Sequence, residues 1–182
     1  ELAKDDQAYE DMAIKFYEHF LWIAVAISGS TRGGVGLWDD DDGFFYDVLN
    51  TPDNRLIPLR VRSMVGLIPL FAVEVIDQEL LDQLPGFARR LKWFLDYRPE
   101  LADLVSRWTT PGQGDRRLLS LLRGHRMKQL LRRMLDESEF LSDFGIRALS
   151  EHHEREPYTF DVMGSELSVR YQPAESDSGL FG

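Results

Sequence analysis

The stretch QAYEDMAIKFYEHFLWIAVAIS, residues 7–28, decides the fold class. Tyr9, Met12, Ala13, Phe16, Phe20, Ile23, Ala24 and Ile27 recur at helical spacing, so an amphipathic helix is expected there. Asp5 or Asp6 is placed to cap its start and Gly29 to end it. Phe87, Leu91, Phe94 and Leu95 repeat the pattern over 86–97. Met127, Leu130, Leu131, Met134 and Leu135 repeat it over 125–136. Residues 63–76 are apolar nearly all round, which predicts a buried helix. A short helix is expected at 100–107 after Pro99, followed by a Pro- and Gly-containing linker from Thr109 to Asp115. Five or six helices make the chain mainly α.

Other segments punctuate the helices. A Gly-rich turn spans Gly29 to Gly36. Residues 44–49 and 55–61 read as two short strands around Thr51-Pro52-Asp53-Asn54, which suits a type I turn. Pro58 places the second strand at an edge. Tyr158, Phe160 and Val162 alternate with polar residues, as do Leu167, Val169 and Tyr171. Gly164-Ser165 stands between them where a two-residue type II′ turn belongs, so a hairpin is expected. Gln172–Gly182 reads as a polar loop.

Composition narrows the function classes. With 43% apolar and 29% charged residues, the 182-residue chain is globular rather than disordered. A net charge of −10 argues against nucleic acid and against an anionic membrane surface, both of which need clustered Lys and Arg. A neutral sugar is indifferent to that sign. The absence of Cys removes disulfides, thiolate metal sites and Cys nucleophiles. It also fits a reducing compartment, so a cytoplasmic location is expected. The apolar runs Phe20–Ile27 and Met64–Ile76 fall short of the ~20 residues of a membrane helix. Residue 1 is Glu within a charged run, and the other end reads Ser178-Gly179-Leu180-Phe181-Gly182. Both ends read as cut, so the chain is expected to be an internal piece.

The Asp39–Asp42 run invites a calcium reading. A calcium loop of the EF-hand type needs Gly at its sixth position. Placing Gly43 there makes Trp38 the first ligand and Leu49 the twelfth, and neither binds calcium, so no metal is expected. Trp38, Phe44, Phe45 and Tyr46 flank Asp47. Sugars stack C–H faces on rings while carboxylates and Arg bridge their hydroxyls; the alternative is that the rings plug a core around a hairpin. Glu175 and Asp177 lie two apart in an extended loop, which puts both side chains on one side at roughly 6–7 Å. Inverting glycosidases separate their carboxyls by ~6.5–9.5 Å. Arg62 precedes the apolar run and Arg147 sits in a turn, each able to hold a carboxylate bidentately or to form a structural ion pair. His152 and His153 are adjacent and diverge, which does not suit zinc. His19 reads as a packed histidine.

Four stretches together resemble bacterial members of glycoside hydrolase family 63, the glucosidases related to mannosyl-oligosaccharide glucosidase. They are residues 36–47 (GLWDDDDGFFYD), 61–70 (VRSMVGLIPL), 144–150 (FGIRALS) and 171–182 (YQPAESDSGLFG), in that order. The resemblance implies an (α/α)6 toroid with two small β-hairpins in its loops. Residues 1–182 then form a single partial domain, about half of such a toroid. It also implies inverting hydrolysis of α-glucosidic or related oligosaccharide bonds, with one carboxylic acid and one carboxylate base and no metal or other cofactor. In relatives the last stretch continues into a Trp-Arg-Gly segment, and the acid and base lie outside the residues present here.

Trp38, Tyr46, Asp47, Arg62, Arg147, Glu175 and Asp177 are therefore expected to line a sugar cleft without supplying the catalysts. The expected partners are an oligosaccharide and more protein, from the same polypeptide or another chain. The alternative is a non-enzymatic helical interaction module that keeps a vestigial sugar cleft.

Overall fold

The computed structural model describes residues 2–28, 35–99, 111–162, 164–173 and 175–178, the last segment as backbone alone. Two compact units emerge: Glu1–Gly36 with Pro69–Gly124, and Leu37–Ile68 with His125–Gly182.

The first unit is built on α1 (Gln7–Ser28) and α3 (Pro85–Tyr97), with α2 (Gln78–Gln83) and a ribbon of β5 (Val73–Ile76) and β6 (Arg117–Ser120). The bounds of α1 match the sequence pattern, and Asp6 caps it by accepting the Ala8 N–H at 2.9 Å. Its buried face differs from the expected one. Glu10, Tyr17, Leu21, Ala24 and Val25 face inward, while Tyr9, Met12, Phe16 and Ile23 are exposed. Apolar residues populate both stripes of this helix, so period alone does not choose between them. The choice comes from α3, whose Phe87 and Phe94 meet Tyr17 edge-on at 5.7 and 5.8 Å. Burial pushes the Tyr17 phenol well above its ordinary pKa.

Glu10 is the one charged residue in that buried face. It is 4% exposed, and its Oε1 accepts the Phe87 N–H at 2.9 Å. Phe87 lies in the first turn of α3, whose own cap residue, Leu84, offers no side-chain acceptor. Glu10 thus supplies a cap from another helix, where an α-helix leaves N–H groups without partners and favours negative charge. Gly86 allows the approach: a Cβ there would stand 2.9–3.0 Å from the Glu10 carboxylate.

The second unit is mostly ribbon. It contains β1 (Trp38–Asp39), β2 (Phe44–Phe45), β3 (Asp47–Asn50), β4 (Leu56–Leu59), α4 (Gly124–Met134), β7 (Leu141–Ser142), β8 (Gly145–Ile146) and α5 (His152–Arg155). A three-stranded sheet follows, made of β9 (Tyr158–Val162), β10 (Ser165–Gln172) and β11 (Glu175–Ser178), in the order β11-β10-β9. The hairpin at residues 51–54 forms as expected, with Asn54 N–H donating to Thr51 O at 2.8 Å and Asn54 at φ 60°. Pro58 lies in a two-stranded ribbon opposite Val48, where its missing N–H costs little. The later hairpin also forms, but Ser165 is already paired, opposite Val162, rather than part of the turn. Gly164 takes the left-handed φ of 81°.

Three further expectations are corrected. Residues 63–76 do not form a buried helix: Met64–Leu70 is a 3-10 helix ending in Pro69-Leu70, and Val73–Ile76 is a strand. Leu67 is buried there, while Met64, Val65, Ile68, Phe71, Val73 and Val75 are exposed. Pro removes the N–H that an α-helix would need and clashes with the preceding turn. The tail after Gln172 is partly strand, not loop. The mainly α architecture, part of an (α/α)6 toroid, is replaced by a mixed α/β one. Among the described residues four two-stranded sheets and one three-stranded sheet, all antiparallel, accompany the helices. Among the described α-helices only α1, α3 and α4 exceed two turns, with 22, 13 and 11 residues. The helix expected at 100–107 lies outside the described residues. No described helix is long and apolar enough to cross a membrane.

Glu10→Ala is expected to lower unfolding free energy by about 1–3 kcal/mol, because the Phe87 N–H is left buried without an acceptor. Glu10→Gln keeps an acceptor and costs less. Urea denaturation of both variants checks the order.

Candidate functional site

The site grows from the aspartate run. Asp39 Oδ1 accepts the N–H groups of Asp41 and Asp42 at 3.1 and 2.9 Å, and Asp39 O accepts the Gly43 N–H at 2.8 Å. With Trp38 paired to Phe45 and Asp39 to Phe44, the run is the tip of a hairpin. Gly43 sits at φ 63°, and a Cβ there would approach Gln129 Nε2 to 3.2 Å. The four carboxylates divide their work. Asp39 also pairs with Arg60 at 2.6 Å, Asp40 accepts the Trp38 indole N–H at 2.8 Å, Asp41 is exposed, and Asp42 is half-buried.

Asp42 meets two guanidiniums, and both of these also meet Glu139. Arg62 grips it through Nη2 on Oδ1 at 2.7 Å and Nε on Oδ2 at 3.3 Å. Arg62 Nη1 reaches Glu139 Oε1 at 2.8 Å. Arg133, from the last turn of α4, reaches the same Glu139 oxygen at 2.5 Å and Asp42 Oδ1 at 3.0 Å. It also donates to the Asp42 carbonyl at 2.5 Å. Two guanidiniums and two carboxylates thus close a neutral ring, with side chains 14–21% exposed. Ser150 Oγ donates to the second Glu139 oxygen at 2.5 Å, and Tyr46 OH donates to Asp42 Oδ2. Beneath the ring, Phe44 stacks on Phe140 at 5.8 Å, both fully buried, and Arg133 lies 5.4 Å over Phe44.

The electrostatics follow. Burial pushes the Asp42 carboxyl up, but the Tyr46 hydroxyl and the Arg133 and Arg62 guanidiniums outweigh it and hold it below the ordinary carboxylate range. Burial first, then the Asp42 carboxylate, push the Tyr46 phenol up to about 12. Asp42 therefore stays ionised and Tyr46 stays protonated at neutral pH.

Beside the ring opens a cleft of about 290 Å³. Half-buried Asp42, Arg133 and Glu139 line it together with exposed Asp41, Gln129, Arg132 and Asp136. Its lining carries acceptors and donors in alternation and more carboxylates than guanidiniums. Among the described residues no three His, Asp or Glu side chains converge as a metal site requires.

Of the residues singled out from sequence, Arg62 and Tyr46 enter the ring. Trp38 lies edge-on to Phe45 at 4.9 Å, with the Arg126 guanidinium 4.9 Å over its face. Asp47 is exposed at the start of β3, opposite Leu59. Arg147 is held elsewhere: it pairs with Glu151 at 2.8 Å and donates to Tyr171 OH at 3.1 Å, to Glu137 O at 2.8 Å and to Leu141 O. Glu175 and Asp177 lie on β11 opposite Gln172 and Arg170 in backbone register. His152 and His153 do not diverge: their rings meet edge-on with centroids 5.4 Å apart. His152 faces Glu156 at 3.6 Å, while His153 is buried and accepts the Arg62 backbone N–H at 2.9 Å. Sequence reasoning missed Asp42 as an ion-pair partner, and missed Arg133, Glu139 and Ser150. Glu139 is 77 positions from Arg62 and sits in no periodic pattern.

The chain is 43% identical over 194 aligned residues to the uncharacterized protein YMR196W of Saccharomyces cerevisiae. That alignment takes in all of this chain and 18% of the yeast protein, so the chain spans under a fifth of the length of this relative. No protein-family model matches the chain. No solved structure matches it either.

Arg133→Met is expected to cost about 2–4 kcal/mol, since it strips one cation from two half-buried carboxylates that water still partly screens. Acid should act through Asp42. Its carboxyl binds protons more readily in the unfolded chain, so its contribution is complete above about pH 4 and is lost as pH falls through the lowered native value. Asp42→Asn, less stable at pH 7, should lose less between about pH 4 and 2 than the unaltered chain, read from urea midpoints.

Proposed function

We propose that this chain is a piece of a sugar-cleaving hydrolase and carries part of its carbohydrate-binding surface. The observation that supports this reading is where the four stretches resembling glycoside hydrolase family 63 meet. Asp42, from residues 36–47, is gripped by Arg62, from 61–70. Arg62 O accepts the Ser150 N–H at 2.8 Å, and the Met64 N–H donates to Ala148 O at 2.7 Å, which joins in residues 144–150. Arg147 donates to Tyr171 OH, which reaches the fourth stretch. Segments far apart in sequence thus share one hydrogen-bonded cluster beside a polar cleft.

The cleft's chemistry suits an uncharged, polyhydroxylated ligand. Its carboxylates and the Gln129 amide accept from hydroxyls, and Arg132 donates. Its excess of carboxylates disfavours phosphates and acidic sugars. Asp42 and Glu139 hold the surface together rather than moving protons: Asp42 stays ionised and so is not the general acid, and the oxygens of both carboxylates are already engaged by Arg62, Arg133, Tyr46 and Ser150, which leaves neither free to act as the base. The reaction is inverting hydrolysis of α-glucosidic or related bonds, with acid and base contributed from outside this chain by the remainder of the polypeptide or by another chain. A second reading follows from the same ion pairs. Since Asp42 and Glu139 are committed to guanidiniums, a non-enzymatic binding module with a retained sugar cleft fits this chain as well.

Incubating the full-length protein with α-glucosides and α-mannosides, and following anomeric protons by NMR, distinguishes the two. The enzyme reading expects β-configured sugar as the first product. Arg132→Ala, on an exposed side chain, should weaken sugar binding by about 1–2 kcal/mol with little effect on folding. Sugar binding without turnover supports the binding module. Neither turnover nor binding of any glycoside sinks both.

A further inference from the structure

The ring of ion pairs rests on a histidine. His153 is 2% exposed, and both ring nitrogens are committed. Nε2 accepts the Arg62 backbone N–H at 2.9 Å, and Nδ1 stands 3.1 Å from Glu156 O, which makes Nδ1 the protonated nitrogen. Arg62 is the residue whose side chain holds both Asp42 and Glu139. Its carbonyl is bound by the Ser150 N–H, so the backbone at Arg62 is fixed on one side by Ser150 and on the other by the imidazole.

We propose that His153 is a positioning residue for Arg62, and that protonation of its imidazole releases the Arg62 backbone and loosens the grip on Asp42 and Glu139. A second proton can enter only at Nε2, because Nδ1 already carries one. Nε2 then becomes a donor facing the Arg62 N–H, and that donor is left buried without an acceptor. The imidazolium is also buried. Arg62, from its own segment, and His152, from the same turn, oppose its charge; Glu139, whose Oε1 is already shared by two guanidiniums, favours it, and Glu156 offers its carbonyl to Nδ1. Burial first, then the neighbouring cations, hold the ring below the ordinary imidazole value.

The sign of the effect is set by that lowering. The proton binds more readily when the contact is open, so the latch is complete above about pH 6.5 and is lost as pH falls from there through the lowered native value. This interval begins above the one in which Asp42 titrates, at about pH 6.5 against about pH 4. The inference extends the proposed function by naming what regulates the cleft, yet it stands on the Arg62 contact whether or not a sugar binds there.

The test is amide hydrogen exchange of Arg62 in the ¹⁵N-labelled chain, corrected for intrinsic rates, between about pH 7.5 and 4.5. Opening should increase by up to roughly tenfold per pH unit between the two values, in step with the shift of the His153 ring nitrogens to the imidazolium. His153→Gln places a non-titrating acceptor near the Nε2 position and should abolish the pH dependence; His152→Gln should leave it intact. Should His153→Gln fail to fold, the unaltered chain decides alone. Ring protonation without a change at Arg62, or Arg62 protection constant across the range, overturns the proposal. So does an equal loss of protection in folded His153→Gln.

Discussion

The second unit depends on Asp42, Arg62, Arg133 and Glu139 closing a ring of charge. Its ribbons are two to five residues long, apart from β10, and such short ribbons are marginal by themselves. The aspartate hairpin, the segment ahead of the 3-10 helix, the end of α4 and the loop after it would otherwise have little to hold them in register. The ring ties these four segments while leaving no net charge behind. Each carboxylate meets two guanidiniums, and the remaining lone pairs go to Tyr46 and Ser150. That satisfaction matters more than the Coulomb attraction, since half-buried ions are costly unless all their polar atoms are matched.

Glu10 in the first unit solves a related problem by other means. Among the described residues no cation pairs with the buried Glu10 carboxylate; Gln7 donates to one oxygen, and the other is aimed at the N-terminus of α3, where backbone N–H groups lack partners. Gly86 is the residue that makes room, and a side chain there would close the route. In both units a negative charge is placed first by backbone geometry, through the hairpin tip at Asp39–Gly43 or the face of α1, and is then neutralised by a distant segment.

These arrangements shape the functional reading. Asp42 is kept ionised by its neighbours and so cannot serve as a general acid, and both of its oxygens are already engaged by Arg62, Arg133 and Tyr46, which leaves it a poor base. Its role is to shape a surface rich in matched donors and acceptors, with Tyr46 kept protonated and donating. A polar cleft with a modest excess of carboxylates, most of them engaged by guanidiniums and hydroxyls, suits recognition of neutral hydroxyls better than acid–base chemistry. His153, an imidazole able to take up a proton as pH falls, touches this frame at the Arg62 backbone N–H.

Local patterns were legible in the sequence. The extent of α1, the apolar face of α3, the turn at Thr51–Asn54 and the alternation of the last hairpin all rest on neighbours within a few positions, where helical and strand periods operate. Tyr46 and Trp38 were singled out because aromatic rings and charges crowd one loop, and Arg62 because it precedes the apolar run. The rest needed the fold. Which stripe of α1 faces inward depended on α3, and the ambiguous apolar run 63–76 became a 3-10 helix and a strand because Pro69 forbids an α-helix and β6 offers a partner. The partners of Arg62 lie 20, 77 and 91 positions away, at Asp42, Glu139 and His153. An ion pair at such separation has no period to betray it. It is chosen by distance in space, at which point the cost of leaving a half-buried charge unmatched selects one partner among many.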